Sequence, residues 1–280
     1  MDKGPPANNL EQRKDRTEYA RQTAQLQNQA RNWNETIKHK RHKTTKTIDM
    51  EINKIYCESN LETMKRMPDG FVDYILTSPP YNINDSKYET YKDNLNDYFE
   101  NQKKLIIEML RVTKNHIFYN TQMVSGNKVD LHKLIGYFAE NIKEVLIWNK
   151  TYGAPTMPGL FNSAFEYIII FSNQNVNQRK FNDANWKQGT QNNVFKIVNS
   201  HSNPFSDVHK AIMPLDIPRY FMMNFGEEND IWYDPYMGTG TTAVASIEEK
   251  RNWIGSEISK KYVDLANKRL NTYLNQKTLF

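Results

Sequence analysis

Beyond residue 50 the chain alternates short apolar runs with longer stretches in which apolar residues recur every three or four positions. The runs INKIY (52–56), VDYILT (72–77), HIFYN (116–120), EVLIW (144–148), EYIIIF (166–171), DIWY (230–233) and NWIGS (252–256) read as strands. Between them, 60–67, 95–113, 129–140, 214–225, 241–250 and 259–274 carry helical periodicity. Strands alternating with helices predict an α/β fold: a doubly wound, mostly parallel, seven-stranded sheet with helices on both faces.

Two segments depart from that rhythm. Residues 173–208 are polar and rich in Asn and Gln, with scattered Phe and Trp and the cations Arg179, Lys180, Lys187 and Lys196, and read as an insert rather than core. Residues 1–47 form an extension in which Tyr19, Thr23, Leu26, Ala30, Trp33 and Ile37 lay one narrow apolar stripe along a helix. Such a helix either lies on its own domain or serves docking, as in a homodimer. The predicted organisation is therefore a basic helical extension (1–47), a first half of the main domain (48–172), the insert (173–208) and a second half (209–280).

Charge sharpens the extension. The chain carries +5 net, and residues 1–47 hold 11 Lys/Arg against 5 Asp/Glu, so the remainder is nearly neutral. In KHKRHKTTK (38–46), Lys38, Lys40, Arg41, Lys43 and Lys46 form either a solvated tail or a phosphate-binding arm, and Arg179 and Lys180 are further candidates for nucleic-acid contact. Apolar runs are too short for a membrane span, and the first residues lack a signal peptide's apolar centre. A lone cysteine, Cys57, excludes a disulfide framework and a cysteine-based zinc site, so a cytoplasmic protein without a metal is expected.

The first candidate chemistry lies in DIWYDPYMGTGTTAVASIEE (230–249). A strand closes on Asp234, Gly238 and Gly240 punctuate the loop, and a helix opens at Thr241. Glycines there let the backbone approach a ligand just beyond the strand's carboxyl end. WIGSEIS then places Glu257 about 20 residues on, where a carboxylate can accept from both hydroxyls of a ribose. A pyrophosphate site would want a third glycine where Thr242 or Ala243 stands. The spacing thus argues against a dinucleotide and permits an adenosine-bearing cofactor without phosphates, such as S-adenosylmethionine. An ordinary βαβ turn explains the glycines but not Glu257.

The second is YILTSPPYNIN (74–84), a strand broken by two prolines. Prolines supply no ladder N–H and hold the chain extended, so Ser78 and the Pro79 carbonyl sit on a stiff loop at the sheet's carboxyl edge. Both can accept hydrogen bonds from one amino group, and Tyr81 offers a flat face for stacking. An amino group on a planar ring is the implied substrate.

Together these residues resemble the amino-group DNA methyltransferases that use S-adenosylmethionine. The catalytic motif of that family, (D/N/S)PP(Y/F/W), is matched by Ser78, Pro79, Pro80 and Tyr81, and its cofactor loop is similar to DPYMGTGTTAVA. The catalytic motif comes first, as in the beta class, and the resemblance runs from about residue 50 to 272, through YVDLANKRL. It implies the Rossmann-like methyltransferase sheet and S-adenosylmethionine as cofactor. Asp234, Gly238 and Gly240 would line its methionine side, with Tyr236 and Thr241 in the same loop, and Glu257 would hold the ribose. His209 or Lys210, in SDVHKAIMPLDIP, would meet its carboxylate. One departure concerns the adenine: relatives carry Gly-Asp after the preceding strand, whereas IYCESNLETM puts Ser59 at the Asp position with Glu58 beside it.

The implied reaction flips a base out of double-stranded DNA and methylates its exocyclic amine without a covalent enzyme intermediate. Cys57 does not follow a proline, which excludes carbon-5 cytosine chemistry. Serine in the first motif position favours the 4-amino group of cytosine slightly over the 6-amino group of adenine. The insert and the loop KTYGAPTMPGLFNS (150–163) are the expected sequence readers, and the resemblance allows a restriction endonuclease partner. Alternatives from other classes are a catalytically silent DNA-binding accessory subunit and an RNA or protein-glutamine methyltransferase.

Overall fold

The apolar runs resolve into strands of one sheet in the computed structural model, which describes residues 50–83, 96–150, 158–174, 177–197 and 213–277. In chain order the elements are β1 (Lys54–Tyr56), α1 (Asn60–Arg66), β2 (Val72–Thr77), α2 (Tyr98–Val112), β3 (Thr113–Thr121), α3 (Lys128–Tyr137), β4 (Ile142–Asn149), β5 (Phe165–Ser172), β6 (Val194–Lys196), α4 (Asp216–Asn224), β7 (Ile231–Asp234), α5 (Thr241–Glu248), β8 (Asn252–Ser256) and α6 (Lys260–Lys277). The expected extension, with its apolar stripe and its basic run, lies outside the described residues, as do His209 and Lys210.

The sheet has the order β1-β8-β7-β2-β3-β5-β4-β6. Only β5 runs against its neighbours β3 and β4, and the other pairs are parallel. One strand more is present than the runs predict: β6 is a three-residue edge strand inside the polar insert, too short to show period-2 alternation.

Helices cover both faces because the central strands β2, β3, β5 and β7 are apolar on both sides. In β5, Ile169 and Phe171 enter the layer beneath α1, α2 and α3, while Ile168 and Ile170 enter the layer beneath α4. The same split places Ile117 and Tyr119 of β3 opposite Phe118, and Tyr233 of β7 opposite Trp232. A third layer joins Ile55 and Trp253 to α5 and α6 through Val244, Ala266 and Leu270.

The insert is less detached than its composition implies. Phe195 is buried, stacked on Tyr220 of α4, and Phe181 and Trp186 pack edge-on against Phe225. These three aromatics are thus structural.

Candidate active site

Parallel strands bring their carboxyl ends to one edge of the sheet, and every motif singled out above that is described lies along it. From β2 comes the loop Ser78–Tyr81, from β7 the glycine loop, from β8 Glu257, and from β1 Ser59. The edge also gathers Asn120 of β3, Gln122 just after it, Lys150 after β4 and Glu166 of β5, which the sequence did not single out.

The proline loop is held from two sides. Tyr98 at the start of α2 donates its hydroxyl to the Pro80 carbonyl at 3.1 Å, and Asn82 donates its amide to the Gly126 carbonyl at 2.9 Å. Asn82 has φ +62°, and a Cβ on Gly126 would lie 1.8 Å from the Asn82 oxygen, so only glycine fits there.

Ser78 does not stand alone. Its Oγ lies 3.0 Å from the Tyr81 hydroxyl and 3.2 Å from Asn120 Nδ2. Tyr81 donates to Glu166 Oε2 at 2.8 Å, and Asn120 Nδ2 lies 2.7 Å from the Tyr81 oxygen and 2.8 Å from Glu166 Oε2. Lys150 Nζ closes the cluster, 3.0 Å from Glu166 Oε1 and 3.2 Å from Gln122 Oε1. Burial, then the Glu166 carboxylate beside it, raises the Tyr81 phenol well above its ordinary value. Tyr81 therefore keeps its proton and engages by its hydroxyl as well as by the stacking face that the motif suggests.

The glycine loop is tied to the strand ends around it. Met237 N–H donates to the Ser256 carbonyl at 2.9 Å, and Asn60 donates to the Pro235 carbonyl at 3.3 Å. Gly240 caps α5 with φ +83°, and its Cα hydrogen faces Ala266 of α6, where a Cβ would come within 3.2 Å. Glu257 sits in the loop's concavity: Oε2 accepts from Gly238 N–H at 3.0 Å and Oε1 from Ser259 N–H at 2.8 Å. Burial raises its carboxyl above the ordinary glutamate value.

Several candidate cofactor contacts have hydrogen-bond partners within the chain. Asp234 is buried, accepting from Tyr236 N–H at 2.9 Å and from the Thr242 hydroxyl at 2.6 Å, so its carboxylate organises the loop's own turn. Thr241 Oγ1 accepts from Arg269 of α6 at 3.1 Å and joins two helices. Tyr236 is part-buried, packed on the layer beneath α2. Ser59 caps α1 by accepting from Glu62 N–H at 3.3 Å, while Glu58 is bound to Arg66 and Thr63. At the far edge, Arg179 is paired with Glu144 at 2.5 Å and Lys180 is exposed. In the β4–β5 connection, Leu160 and Phe161 are exposed, Phe161 completely. Cys57 is exposed, and among the described residues no group of three or more His, Cys, Asp or Glu is arranged to hold a metal. No described helix is long and apolar enough to cross a membrane.

Asp234 gives a stability prediction. Burial raises its pKa to about 6 from 3.8, so folding favours the protonated form. Its contribution to stability is fully present below pH 3.8 and is lost as pH rises to about 6. The size is at most about 3 kcal/mol. Urea unfolding at pH 4 and pH 6.5 should show Asp234→Asn losing less stability over that interval than the parent, and equal losses would refute the shift.

Comparisons with known proteins identify the family. A family model described as DNA methylase matches residues 72–268. The chain is 28% identical over 251 residues to the orphan methyltransferase M.BamHII of Bacillus amyloliquefaciens, covering 74% of this chain and 91% of that protein. It is 27% identical over 270 residues to the type II methyltransferase M.BglII of Bacillus subtilis, covering 81% of this chain and 73% of that one. Among solved structures its fold is similar to that of the PvuII DNA methyltransferase (cytosine-N4-specific), with TM-score 0.62, 16% identity, and coverage of 79% and 89%.

Proposed function

Because this chain belongs to the N6/N4 DNA methylase family, we propose that it transfers a methyl group from S-adenosylmethionine to the exocyclic amine of a base flipped out of double-stranded DNA. The observation that carries the proposal is a rigid Ser78-Pro79-Pro80 acceptor loop sharing one sheet edge with a glycine loop whose Gly238 N–H binds the half-buried carboxylate of Glu257. Ser78 in the first motif position supports the 4-amino group of cytosine over the 6-amino group of adenine.

The residues fit this cofactor. Glu257 can accept from ribose hydroxyls, Gly238 and Gly240 admit the backbone's close approach, and Thr239 Oγ1 is buried with no partner among the described residues. S-adenosylmethionine, when bound, supplies an electrophilic methyl group on a sulfonium. Ser78 Oγ and the Pro79 carbonyl accept the two amine hydrogens, which orients the nitrogen's lone pair and favours the pyramidal nitrogen of the transition state. Asp234 and Thr242 keep the glycine loop in shape, and Tyr81 stacks beside the base. The amine's surplus proton leaves to water after transfer.

Labelled S-adenosylmethionine incubated with the protein and unmethylated genomic DNA, followed by nucleoside mass spectrometry, tests this reading. N4-methylcytosine supports it in full, N6-methyladenine retains the reaction but overturns the base, and no methylated nucleoside overturns the function.

For DNA contact we propose the basic run Lys38, Lys40, Arg41, Lys43 and Lys46. Deleting residues 1–47 should weaken binding and reduce the slope of log affinity against log salt by up to about 4.5, since each phosphate neutralised contributes about 0.9. Fluorescence anisotropy between roughly 50 and 200 mM salt measures it, and an unchanged slope rejects the arm.

A further inference from the structure

We propose that the Glu166–Lys150 pair is a positioning device which, through Tyr81, turns the hydrogen of Ser78 inward and leaves its hydroxyl an acceptor for the substrate amine. The proposal rests on the reading of Ser78 as the amine's acceptor.

It follows from counting hydrogens. As a carboxylate paired with Lys150 at 3.0 Å, Glu166 can only accept. Tyr81 has one hydroxyl hydrogen, and it goes to Glu166 Oε2 at 2.8 Å. Asn120 Nδ2 has two hydrogens, and its shorter contacts, 2.7 Å to the Tyr81 oxygen and 2.8 Å to Glu166, use both. Turning that amide over would set its oxygen against the carboxylate, so Glu166 fixes Asn120 as well.

The 3.0 Å contact between Ser78 Oγ and the Tyr81 hydroxyl then has one available donor, Ser78. With its hydrogen spent on Tyr81, Ser78 offers lone pairs to whatever approaches. That is the polarity an amine needs, since an outward hydroxyl hydrogen would oppose the amine's own N–H. The phenol stays protonated because burial raises its pKa, so the chain of donors is maintained.

A purely structural role explains less. The β4–β5 connection is already closed by Lys150 N–H donating to the Ala164 carbonyl at 2.8 Å, and a buried ion pair is weak evidence of stabilisation. Nor would a structural pair need its second carboxylate oxygen aimed at Tyr81 and Asn120.

The test compares charge-free pairs. In Glu166→Gln alone, the amide must turn its NH2 either to Lys150 or to Tyr81 and Asn120, and methyl transfer at saturating substrates should fall roughly 30-fold, one charge-assisted hydrogen bond's worth. In K150M/E166Q no ammonium remains, so the amide oxygen can face Tyr81, and transfer should return to within about threefold of the parent. K150M/E166L is equally uncharged but has no acceptor, and should remain roughly 30-fold slower. Introducing Tyr81→Phe into both doubles should abolish their difference. S-adenosylmethionine affinity and Tm are measured for every variant and should match between the doubles.

Equal rates in the two doubles, or a difference that survives Tyr81→Phe, overturns the relay while leaving the proposed function intact. A parent protein that binds cofactor yet methylates no DNA overturns the proposed function, and the relay with it.

Discussion

Ser78→Ala should lower the rate of methyl transfer by about 10²–10³-fold while S-adenosylmethionine binds as before. In the proposed reaction the hydroxyl is one of two acceptors that hold the amine, and its bond strengthens as the nitrogen becomes cationic, so its loss would fall on the transition state. Stability should suffer little, about 1 kcal/mol, because alanine strands no donor. Tyr81 still donates to Glu166, and Asn120 still reaches both Tyr81 and Glu166. Methyl incorporation at saturating DNA, beside cofactor titration by calorimetry, separates the two quantities. A rate within about threefold of the parent would falsify the assignment of Ser78 as the amine's acceptor.

Glu257→Gln should do the reverse, weakening S-adenosylmethionine by about 10²-fold, as expected when two charge-assisted hydrogen bonds are lost. The glutamate oxygens accept from Gly238 and Ser259 N–H at 3.0 and 2.8 Å, and each retains lone pairs for a ribose hydroxyl. A glutamine has one oxygen for these duties, and its NH2 must face a backbone N–H. The pH dependence supplies a second signature. Burial raises the Glu257 pKa, so cofactor affinity in the parent should decline on acidification at a pH above the ordinary glutamate range. Glutamine should abolish that decline. An affinity within about threefold of the parent, with the acid decline retained, would remove Glu257 from the cofactor site.

With these outcomes the two variants would divide the sheet edge into a half that holds the cofactor and a half that acts on the amine. The relay through Tyr81 belongs to the second half and should leave cofactor affinity unchanged. His116, buried against Asp183 at 3.0 Å, belongs to neither. It lies near the start of β3 on the opposite edge, where Tyr74 also donates to Asp183 at 2.7 Å and ties the insert to the sheet.

Contiguous residues encode part of this architecture before any tertiary contact forms. Proline restricts φ, glycine relaxes it, and a run such as EYIIIF is buried wherever it lies, so the Ser78-Pro79-Pro80 loop, the Gly238–Gly240 turn and the alternation of strand and helix are legible before any fold is known. Glu257 is legible too, because its distance from the glycines is set by one helix and one strand. The strand order, the reversal of β5 and the edge strand β6 were decided by packing between segments remote in sequence. The cluster around Ser78 depends on that decision. Asn120, Lys150 and Glu166 lie 42 to 88 residues beyond Ser78, and they meet only because β5 is inserted antiparallel between β3 and β4. Ser59, Thr241 and Arg179 have partners within the chain as well: the first turn of α1, Arg269 and Glu144. A cap such as Ser59 on Glu62 N–H is local, but a partner remote along the chain is chosen by proximity in space, and sequence neighbours do not reveal it.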